Sequence, residues 1–308
     1  MKKIILSGSM AYDRTMTFPD LFSNHLLADK LDALSVSFLV DGATEDFGGT
    51  AGNIAYGLKL LGEEPLLSAT LGRDHYRYTG WLDANTISKE LIVIVDNELT
   101  AGCYITNDKE KNQLTIFNPG AMKYSSVLDF DTLDPTATLL LVSPGNVGDM
   151  LGYPQECRQR GIPYIFDPGQ NLPVLPGKEL IETIRGARLL IVNSYEFNLA
   201  MEKTGLGKEE LVKLAESTIV TLGGDGSDVY DNGSVTHIPP FAAREVVDPT
   251  GAGDAYRAGL VSGLLAGKSL QESALQGSVC GSFAVESNGT QNYRFSDEQF
   301  RERLATLK

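Results

Sequence analysis

Continuous apolar runs dominate the second half of the chain, and amphipathic segments separate them. The runs are Leu139–Ser143, Tyr164–Asp167, Leu189–Asn193 and Thr218–Leu222. Strands that are buried on both faces of a sheet have such unbroken runs, whereas helices that cover a sheet carry apolar residues on one side. The alternation therefore predicts an α/β fold with a doubly wound, mostly parallel sheet.

The first half of the chain predicts further strands and a separate small sheet. Lys3–Leu6 and Leu66–Leu71 are short apolar runs, and a helix is expected over roughly residues 75–85. Three runs rich in β-branched and aromatic residues predict the small sheet, the last two as a hairpin: Ser35–Asp41, Gly102–Asn107 and Gln113–Asn118. One face of such a sheet has no helices, so it must cover a ligand, a partner subunit or both.

Composition limits the number of domains and the kinds of partner. With 308 residues, 42% of them hydrophobic, the chain can hold a full core. We predict a single domain over residues 1–308, with lid segments inserted at about 14–47 and 100–122. The formal net charge of −14 argues against a nucleic-acid or anionic-membrane surface. An anionic substrate would need a local basic pocket.

Cysteine and histidine usage points to a reducing compartment. The three cysteines are far apart and the three histidines are scattered, so neither a disulfide framework nor a metal-binding pattern is present. No segment approaches the roughly 20 apolar residues of a membrane span. The sequence therefore predicts a cytoplasmic protein without membrane partners.

The stretch Val247–Gly259 combines a glycine turn with the start of an apolar helix. The first N–H groups of a helix have no internal partner and carry partial positive charge, so such a turn suits an anion. Gly251 and Gly253 allow a phosphate to approach the backbone closely. Asp254 would repel that phosphate unless it removes a proton from the attacking group, which indicates phosphoryl transfer to a hydroxyl. An ordinary acidic helix N-terminus is the alternative, and for this motif alone it is the favoured one.

A second glycine-rich helix start lies at Phe47–Gly62. Gly48, Gly49 and Gly52 are more glycines than a cap needs, which indicates close approach of a ligand to the backbone. Asn53 offers both a donor and an acceptor. Tight packing is the alternative explanation for the glycines.

Polar residues also follow several predicted strands, where ligands collect in open parallel sheets. Ser9 and Asp13 follow the first strand, although a plain surface Asp is equally consistent there. Asn193 and Glu196 are either a simple capping box or a site that presents Glu196, through water, to a nucleotide-bound Mg²⁺. The turn Thr221–Ser227 leads into a hairpin and can also face a nucleotide.

These motifs together resemble the ribokinase-like (pfkB) family of carbohydrate and nucleoside kinases. Four stretches carry the resemblance in the family's order: Phe47–Gly62, Asn193–Glu196, Thr221–Gly226 and Asp248–Gly259. The resemblance implies a Rossmann-like, three-layer α/β fold with a small β-sheet lid. Pro249 departs from the signature by removing a backbone donor, and Tyr256 stands where the family has Phe.

The resemblance also implies roles for individual residues. Asp254 is expected as the general base, with Gly251, Ala252 and Gly253 as the anion hole. Asp13 and Asn53 are expected to hold acceptor hydroxyls, and Asn193, Glu196, Thr221, Gly223 and Gly226 are expected to contact ATP. Their places beyond a strand end or in the glycine motif add Ser9, Gly48, Gly49 and Gln170 as expected substrate contacts. Glu196 is expected to organise Mg²⁺ through water, and Asp248 matches a position that in several members helps to bind K⁺.

Substrate choice follows from a finer resemblance. The segments 7–13, 38–41 and 289–292 are similar to the prokaryotic adenosine-kinase-like branch, and Phe38 and Phe117 are aromatic lid residues that can stack on a base. A nucleoside, with adenosine favoured, is therefore the expected acceptor at its 5′-hydroxyl, and Asp167 and Gln170, which follow a strand end, are further expected contacts to it. A kinase for ribose, fructose or a related sugar is the alternative, and a non-catalytic nucleoside sensor is a third. The protein is expected as a monomer or a lid-mediated homodimer.

Overall fold

The structure is a computed structural model that describes residues 3–26 and 35–306. Its strands are β1 (Lys3–Ser7), β2 (Ala11–Thr17), β3 (Gly42–Gly48), β4 (Leu66–Gly72), β5 (Ile92–Val95), β6 (Ala101–Asn107), β7 (Gln113–Asn118), β8 (Thr138–Val142), β9 (Tyr164–Phe166), β10 (Leu189–Asn193), β11 (Ser217–Thr221), β12 (Ser227–Asp231) and β13 (Ser234–Ile238). Its α-helices are α1 (Thr50–Leu60), α2 (Tyr76–Ala84), α3 (Val147–Arg160), α4 (Gly177–Ile184), α5 (Ser194–Thr204), α6 (Lys208–Val212), α7 (Ala252–Leu265), α8 (Leu270–Ala284) and α9 (Asp297–Ala305).

The apolar runs form one large sheet with the strand order β13-β12-β11-β10-β9-β8-β1-β4-β5. The pairs from β11 through β5 are parallel, and β12 and β13 add an antiparallel hairpin at one edge. The chain order reverses between β1 and β8, which is where open α/β sheets bind ligands beyond the strand ends. The predicted doubly wound parallel sheet is confirmed.

Alternate residues of the central strands supply two separate cores. Ile4 and Leu6 pack with α1, α2 and α7 on one face of the sheet, whereas Ile5 packs with α3, α4 and α5 on the other. Burial on both faces explains why these strands appear in the sequence as unbroken apolar runs. Among the described residues, no helix is long and apolar enough to cross a bilayer.

A second sheet of four strands has the order β3-β2-β6-β7. The predicted hairpin is present as β6 and β7, with Gly102 opposite Asn118. The predicted strand at Ser35–Asp41 is wrong, because β3, the strand that pairs with β2, begins at Gly42. Within 35–41, the ring of Phe38 packs on Phe18 and Phe22 instead. Phe38 belongs to that local cluster, whereas Leu39 is exposed. The apolar content of this run therefore does not produce a strand, since strand propensity depends strongly on context.

The small sheet lies largely within the two predicted lid segments, residues 14–47 and 100–122. Residues 27–34 of the first segment lie outside the described residues. β3 runs directly into α1 through Gly48 and Gly49, so the small sheet and the large domain are joined at the second glycine motif.

Candidate active site

The glycine turn before α7 presents free backbone donors at a helix N-terminus. Gly251 is the N-cap with φ of 80°, and an added Cβ there would lie 2.9 Å from the side chain of Thr290. Both the left-handed backbone and the close neighbour favour glycine at this position. The first helical hydrogen bond is donated by Ala255 to the Gly251 carbonyl over 2.9 Å. The N–H groups of Gly253 and Asp254 precede that bond, so they are available to an anion.

The third member of the expected anion hole is arranged differently. The N–H of Ala252 donates to the carbonyl of Pro249 over 3.2 Å, within the turn itself. Among the described residues, the N–H of Gly251 has no acceptor. The donors that this structure offers to an anion are therefore those of Gly251, Gly253 and Asp254, so Ala252 contributes by closing the turn.

Two cavities meet at this helix end. The lid cavity, of about 470 Å³, lies between the small sheet and the ends of β1 and β8, and its lining includes Ser9, Ala11, Asp13, Gly49, Asn53, Cys103, Phe117, Met122 and Thr290. The strand-end cavity, of about 330 Å³, is lined by Asp167, Asn193, Glu196, Thr221, Gly223, Gly253 and Arg257 among others. Thr50, Gln170, Gly251 and Asp254 line both cavities. Asp254 therefore faces two ligand-sized spaces at once.

Burial raises the pKa of Asp254 to about 6. The positive charge of Arg257 and a hydrogen bond from Asn53 oppose that shift, whereas the negative charges of Asp167 and Asp13 add to it. Asn53 donates from Nδ2 to Oδ2 of Asp254 over 2.8 Å. A carboxylate with a pKa close to neutral is ionised at pH 7 and is a stronger base than an ordinary Asp.

Asp13 is a second buried carboxylate in the lid cavity. Its pKa is raised to about 6 by burial and by Asp46, its partner across the β2–β3 pair. The carboxylate packs against Gly48, where any side chain would overlap it. Among the described residues, no donor lies within hydrogen-bond distance of Asp13, so its oxygens are free to accept hydrogen bonds from a ligand hydroxyl.

Ser9 and Gly49 fix the start of α1 beneath the lid cavity. The Oγ of Ser9 accepts a hydrogen bond from the N–H of Thr50 over 3.0 Å. Gly49 is the N-cap, with φ of 88°, and its Cα packs so closely on the backbone of Ser9 and Met10 that no side chain fits. Both residues line the cavity, and both hold α1 in the place that brings Asn53 to Asp254.

The polar pair at the start of α5 forms the expected capping box. Asn193 Oδ1 accepts from the N–H of Glu196, and Glu196 Oε2 accepts from the N–H of Asn193, each over 2.8 Å. Glu196 also lines the strand-end cavity, and its Oε1 has no hydrogen-bond partner among the described residues. Burial and the charge of Asp167 raise the pKa of Glu196. One free carboxylate oxygen fits a contact to Mg²⁺ through water, so the capping role and the metal role are compatible.

No set of three or more His, Cys, Asp and Glu side chains is placed to hold a metal directly within residues 3–26 and 35–306. Asp248, the residue considered for K⁺, has both oxygens engaged. Oδ1 accepts from the N–H of Thr250 over 2.9 Å, and Oδ2 accepts from the N–H of Gly289 over 3.2 Å. The carboxylate thus ties the turn before α7 to the loop after α8.

A buried ion pair that the sequence reasoning missed lies beside Asp254. Arg257 approaches Asp167 twice, with Nε 2.5 Å from Oδ2 and Nη2 2.7 Å from Oδ1, and it also donates to the carbonyl of Gly253. Asp167, considered above as an acceptor contact, is committed to Arg257 in the strand-end cavity, while Gln170 lines both cavities. A sequence signal for Arg257 exists, because it is a charged residue one turn after Asp254 in an otherwise apolar helix.

Of the remaining residues expected to contact ATP, two line the strand-end cavity and the third closes the turn beside it. Thr221 and Gly223 line the strand-end cavity. Gly226 does not line it; its φ is 92°, and its carbonyl accepts from the N–H of Leu222 over 2.8 Å. Gly226 therefore closes the turn that presents Gly223.

The two aromatic residues expected to stack on a base lie in different places. Phe117 lines the lid cavity, whereas Phe38 packs away from it, 4.8 Å from the ring of Phe18. Asp13, Cys103 and Phe117 are consecutive cross-strand partners on β2, β6 and β7. Because paired residues share a sheet face, this row runs from a carboxylate to an aromatic ring over two strand spacings, or about 10 Å.

The chain is similar to known kinases over nearly its whole length. A model of the pfkB family of carbohydrate kinases matches residues 7–296. A nucleoside kinase from Methanocaldococcus jannaschii is 32% identical, over 99% of this chain and 97% of its own length. The structure of Burkholderia thailandensis nucleoside kinase in complex with inosine has a TM-score of 0.87 at 35% identity, over 99% of this chain and 97% of its own. The structure of the same enzyme in complex with ADP-inosine has a TM-score of 0.85, over 99% of this chain and 95% of its own.

Proposed function

The chain belongs to the pfkB family of carbohydrate kinases, and on that premise we propose that it transfers the γ-phosphoryl group of Mg-ATP to the 5′-hydroxyl of a purine nucleoside, with adenosine as the expected acceptor. It is a phosphotransferase with an alcohol group as acceptor. The observation that carries the proposal is that Asp254 and Gly251 line both the lid cavity and the strand-end cavity. A group there lies between a bound acceptor and a bound nucleotide.

In the proposed reaction, the lid cavity holds the nucleoside and the strand-end cavity holds the ATP phosphates. The carboxylate of Asp254 takes the proton from the acceptor hydroxyl as that oxygen forms its bond to the γ-phosphorus. The bond between the γ-phosphorus and the bridging oxygen breaks, and ADP leaves. The N–H groups of Gly251, Gly253 and Asp254 stabilise the charge on the transferred group.

Charge balance in the strand-end cavity supports a metal-bound nucleotide. Asp167, Glu196 and Asp254 bring three carboxylates to it, and Arg257 is already paired with Asp167. Bound Mg²⁺ would neutralise phosphate charge, with the free Oε1 of Glu196 hydrogen-bonded to one of its waters.

The lining of the lid cavity favours a nucleoside over a phosphorylated sugar. None of the described residues that line it is Lys or Arg, so an anionic acceptor has no cationic side chain to pair with there. Asp13 and Asn53 offer hydrogen bonds at one end, and Phe117 and Met122 offer apolar surface at the other, which matches a ribose joined to a base. The relatives named as nucleoside kinases agree with this choice.

The test is ADP release with Mg-ATP against adenosine, inosine, other nucleosides, ribose, fructose and fructose 6-phosphate, each with and without KCl. We expect a purine nucleoside to give the highest kcat/KM and ³¹P NMR to show a 5′-monophosphate product. Faster turnover of ribose or fructose would move the protein to the sugar kinases. No turnover with any acceptor, together with tight nucleoside binding, would favour the sensor. Stimulation by KCl would support the K⁺ site near Asp248.

A pair of lid variants tests the base-binding end. Phe117→Ala removes the ring that lines the lid cavity, and Phe38→Ala removes a ring of the same size that packs inside the lid. We expect Phe117→Ala to raise the KM for the nucleoside about tenfold, since stacking on a base contributes about 1–3 kcal/mol, while the KM for ATP stays the same. Phe38→Ala should leave the nucleoside KM within twofold. Equal effects of the two variants would contradict the assignment of Phe117.

A further inference from the structure

A chain of three side-chain hydrogen bonds ends on Asp254. The indole Nε1 of Trp81 donates to Oε1 of Gln291 over 2.7 Å. Nε2 of Gln291 donates to Oδ1 of Asn53 over 2.9 Å, and Nδ2 of Asn53 donates to Oδ2 of Asp254 over 2.8 Å. The three donors come from α2, from the loop before α9 and from α1, so the chain crosses three separate elements to reach α7.

The chemistry of the two ends fixes the direction of this chain. An indole N–H can only donate, and an ionised carboxylate can only accept. Between them, Gln291 and Asn53 each have one oxygen and one NH₂ group, and each amide is satisfied only if its oxygen faces Trp81 and its NH₂ group faces Asp254. Turning either amide over would place two donors or two acceptors opposite each other.

Gln291 cannot turn within this site. It is 3% exposed, and its second N–H donates to the hydroxyl of Tyr78 over 2.9 Å. That hydroxyl in turn donates to the carbonyl of Gly48 over 2.7 Å. Trp81 is held by stacking on Phe47, with ring centroids 5.1 Å apart and planes 10° apart. Every polar hydrogen of the Gln291 amide is therefore used, and its neighbours are packed.

We propose that Trp81 and Gln291 are positioning residues for phosphoryl transfer, because they hold the Asn53 amide with its NH₂ group toward the Asp254 carboxylate. This inference rests on the proposed role of Asp254 as the base. Asn53 Oδ1 accepts from Gln291 and one N–H donates to Asp254, so in this proposal the second N–H is the donor for the acceptor hydroxyl. One side chain thus donates both to the base and to the hydroxyl that the base deprotonates.

The chain also ties the base to the root of the lid. Phe47 and Gly48, which contact Trp81 and Tyr78, are the last residues of β3, where the small sheet joins α1. The aromatic rings of Tyr12 and Tyr78 lie 5.7 Å apart at the same junction. The side chains that orient Asn53 are therefore packed against the strands that carry the lid.

The charged groups around Asp254 set its balance between the ionised and protonated forms, and a flipped Asn53 amide would change that balance. Arg257 on its own helix favours the ionised carboxylate, Asp167 after β9 and Asp13 on β2 oppose it, and the hydroxyls of Tyr78 and Tyr293 are close enough to sense its charge. Against this fixed background, Asn53 gives Asp254 either a donor or, if turned over, a carbonyl oxygen. The carbonyl oxygen would favour the protonated acid.

The experiment compares Gln291→Met and Trp81→Phe with Tyr78→Phe. Gln291→Met removes the donor to Asn53 without adding charge. Trp81→Phe removes the indole N–H that orients Gln291, and it also shortens the side chain from two rings to one. Tyr78→Phe is the matched control, because it removes a hydroxyl from the same buried cluster while the indole N–H of Trp81 still fixes the direction of the Gln291 amide. The readouts are kcat and KM from pH 5 to 9, and the pKa of Asp254 from ¹³C NMR of carboxyl-labelled Asp, assigned with Asp254→Asn.

We expect the acidic limb of kcat, and the NMR pKa of Asp254, to rise by about 0.5 to 1 pH unit in Gln291→Met and in the same direction in Trp81→Phe. Turnover should fall about three- to tenfold near pH 5.5 and recover by pH 8, with the KM for ATP unchanged. Tyr78→Phe should leave both the acidic limb of kcat and the NMR pKa of Asp254 unchanged. A purely structural role for the chain would lower Tm and turnover at every pH and leave the limb where it is.

The failure of this inference can be told apart from failure of the proposed function. If the unsubstituted protein phosphorylates no acceptor, the proposed function fails, and the NMR titration still decides whether Trp81 and Gln291 act on Asp254. If the unsubstituted protein is active but Asp254 titrates identically in Gln291→Met and Trp81→Phe, the positioning role is wrong. Trp81→Phe retains the ring stacking on Phe47, so it provides a folded variant if Gln291→Met does not fold.

Discussion

Two buried carboxylates, Asp13 and Asp254, line the lid cavity, and their ionisation lowers the stability of the folded protein at neutral pH. Burial raises the pKa of each to about 6 from an ordinary value near 4. The folded protein therefore binds these protons more tightly than the unfolded chain does. The resulting stabilisation is fully present below about pH 4 and is lost as the pH rises through 6. At neutral pH, both groups are ionised at a cost to the folded state.

Replacement of Asp254 by Asn should separate function from stability. We expect kcat to fall by about three orders of magnitude or more with the KM values for ATP and nucleoside largely kept, because the base acts in the transition state. Because Asn carries no charge, Tm should rise by a few degrees at pH 7.5, and this gain should vanish near pH 4.

Steady-state kinetics and thermal unfolding across pH 4–8 measure both effects. Asp13→Asn is the companion variant; it should show a similar Tm gain but should act mainly on the nucleoside KM. Undiminished turnover in Asp254→Asn would remove Asp254 from the mechanism.

At the scale of elements, the packing of α1 on α7 sets the distance between Asn53 and Asp254. A Cβ added to Gly57 would lie 2.6 Å from the Cβ of Ala258 and 2.6 Å from the hydroxyl of Tyr293. Gly57 is one turn after Asn53, and Ala258 is one turn after Asp254. The absence of a side chain at Gly57 therefore allows the two helices to approach closely enough for the hydrogen bond between Asn53 and Asp254.

Gly57→Ala should push these helices apart. We expect a loss of about 1–3 kcal/mol of unfolding free energy from overpacking, together with a lower kcat because Asn53 moves relative to Asp254. Gly80→Ala on α2 is the matched control, since no atom lies within 4 Å of its added Cβ. That variant should gain up to about 1 kcal/mol from helix propensity and keep its kcat. Denaturant unfolding and the kinetic assay measure both; a stable, fully active Gly57→Ala would contradict this account of the α1–α7 contact.

At the scale of the whole molecule, the site exists only where the two sheets meet. The small sheet supplies Asp13, Cys103 and Phe117 to the lid cavity, and the large domain supplies Asp254 and the donors of α7. A bound acceptor would fill the space between the hydroxyl-binding groups and the base, and would exclude water from the transferred phosphoryl group.

Acceptor binding should therefore limit wasteful ATP hydrolysis. We expect ADP release without acceptor to be at least about a hundredfold slower than with adenosine. The lid cavity holds the acceptor hydroxyl in place for attack, whereas it does not hold a water molecule in that position. 5′-Deoxyadenosine, which lacks the accepting hydroxyl, should not accelerate ADP release. A coupled ADP assay with the three conditions gives the comparison. Equal rates with and without adenosine would show that the lid does not control water.

The sequence alone determined the central strands of the large sheet and the two glycine motifs. Unbroken apolar runs predicted the central strands because burial on both faces leaves a local signature. The glycine turn before α7 and Asp254 in its first turn were predictable because helix starts follow local rules. The same local reasoning misplaced the strand at Ser35–Asp41, where Phe38 packs on Phe18 and the strand that pairs with β2 begins only at Gly42.

Only the tertiary structure decided which of these residues act together. Asp254 and Asn53 are 201 positions apart, Asn53 and Gln291 are 238 apart, and Asp167 and Arg257 are 90 apart. Periodicity and turn chemistry act over a few residues, so they carry no information about such pairs. The reversal of strand order between β1 and β8 brings these residues to one edge of the sheet, and the small sheet then encloses them. Burial of Asp254 between two cavities, and the pKa that follows from it, are properties of that enclosure.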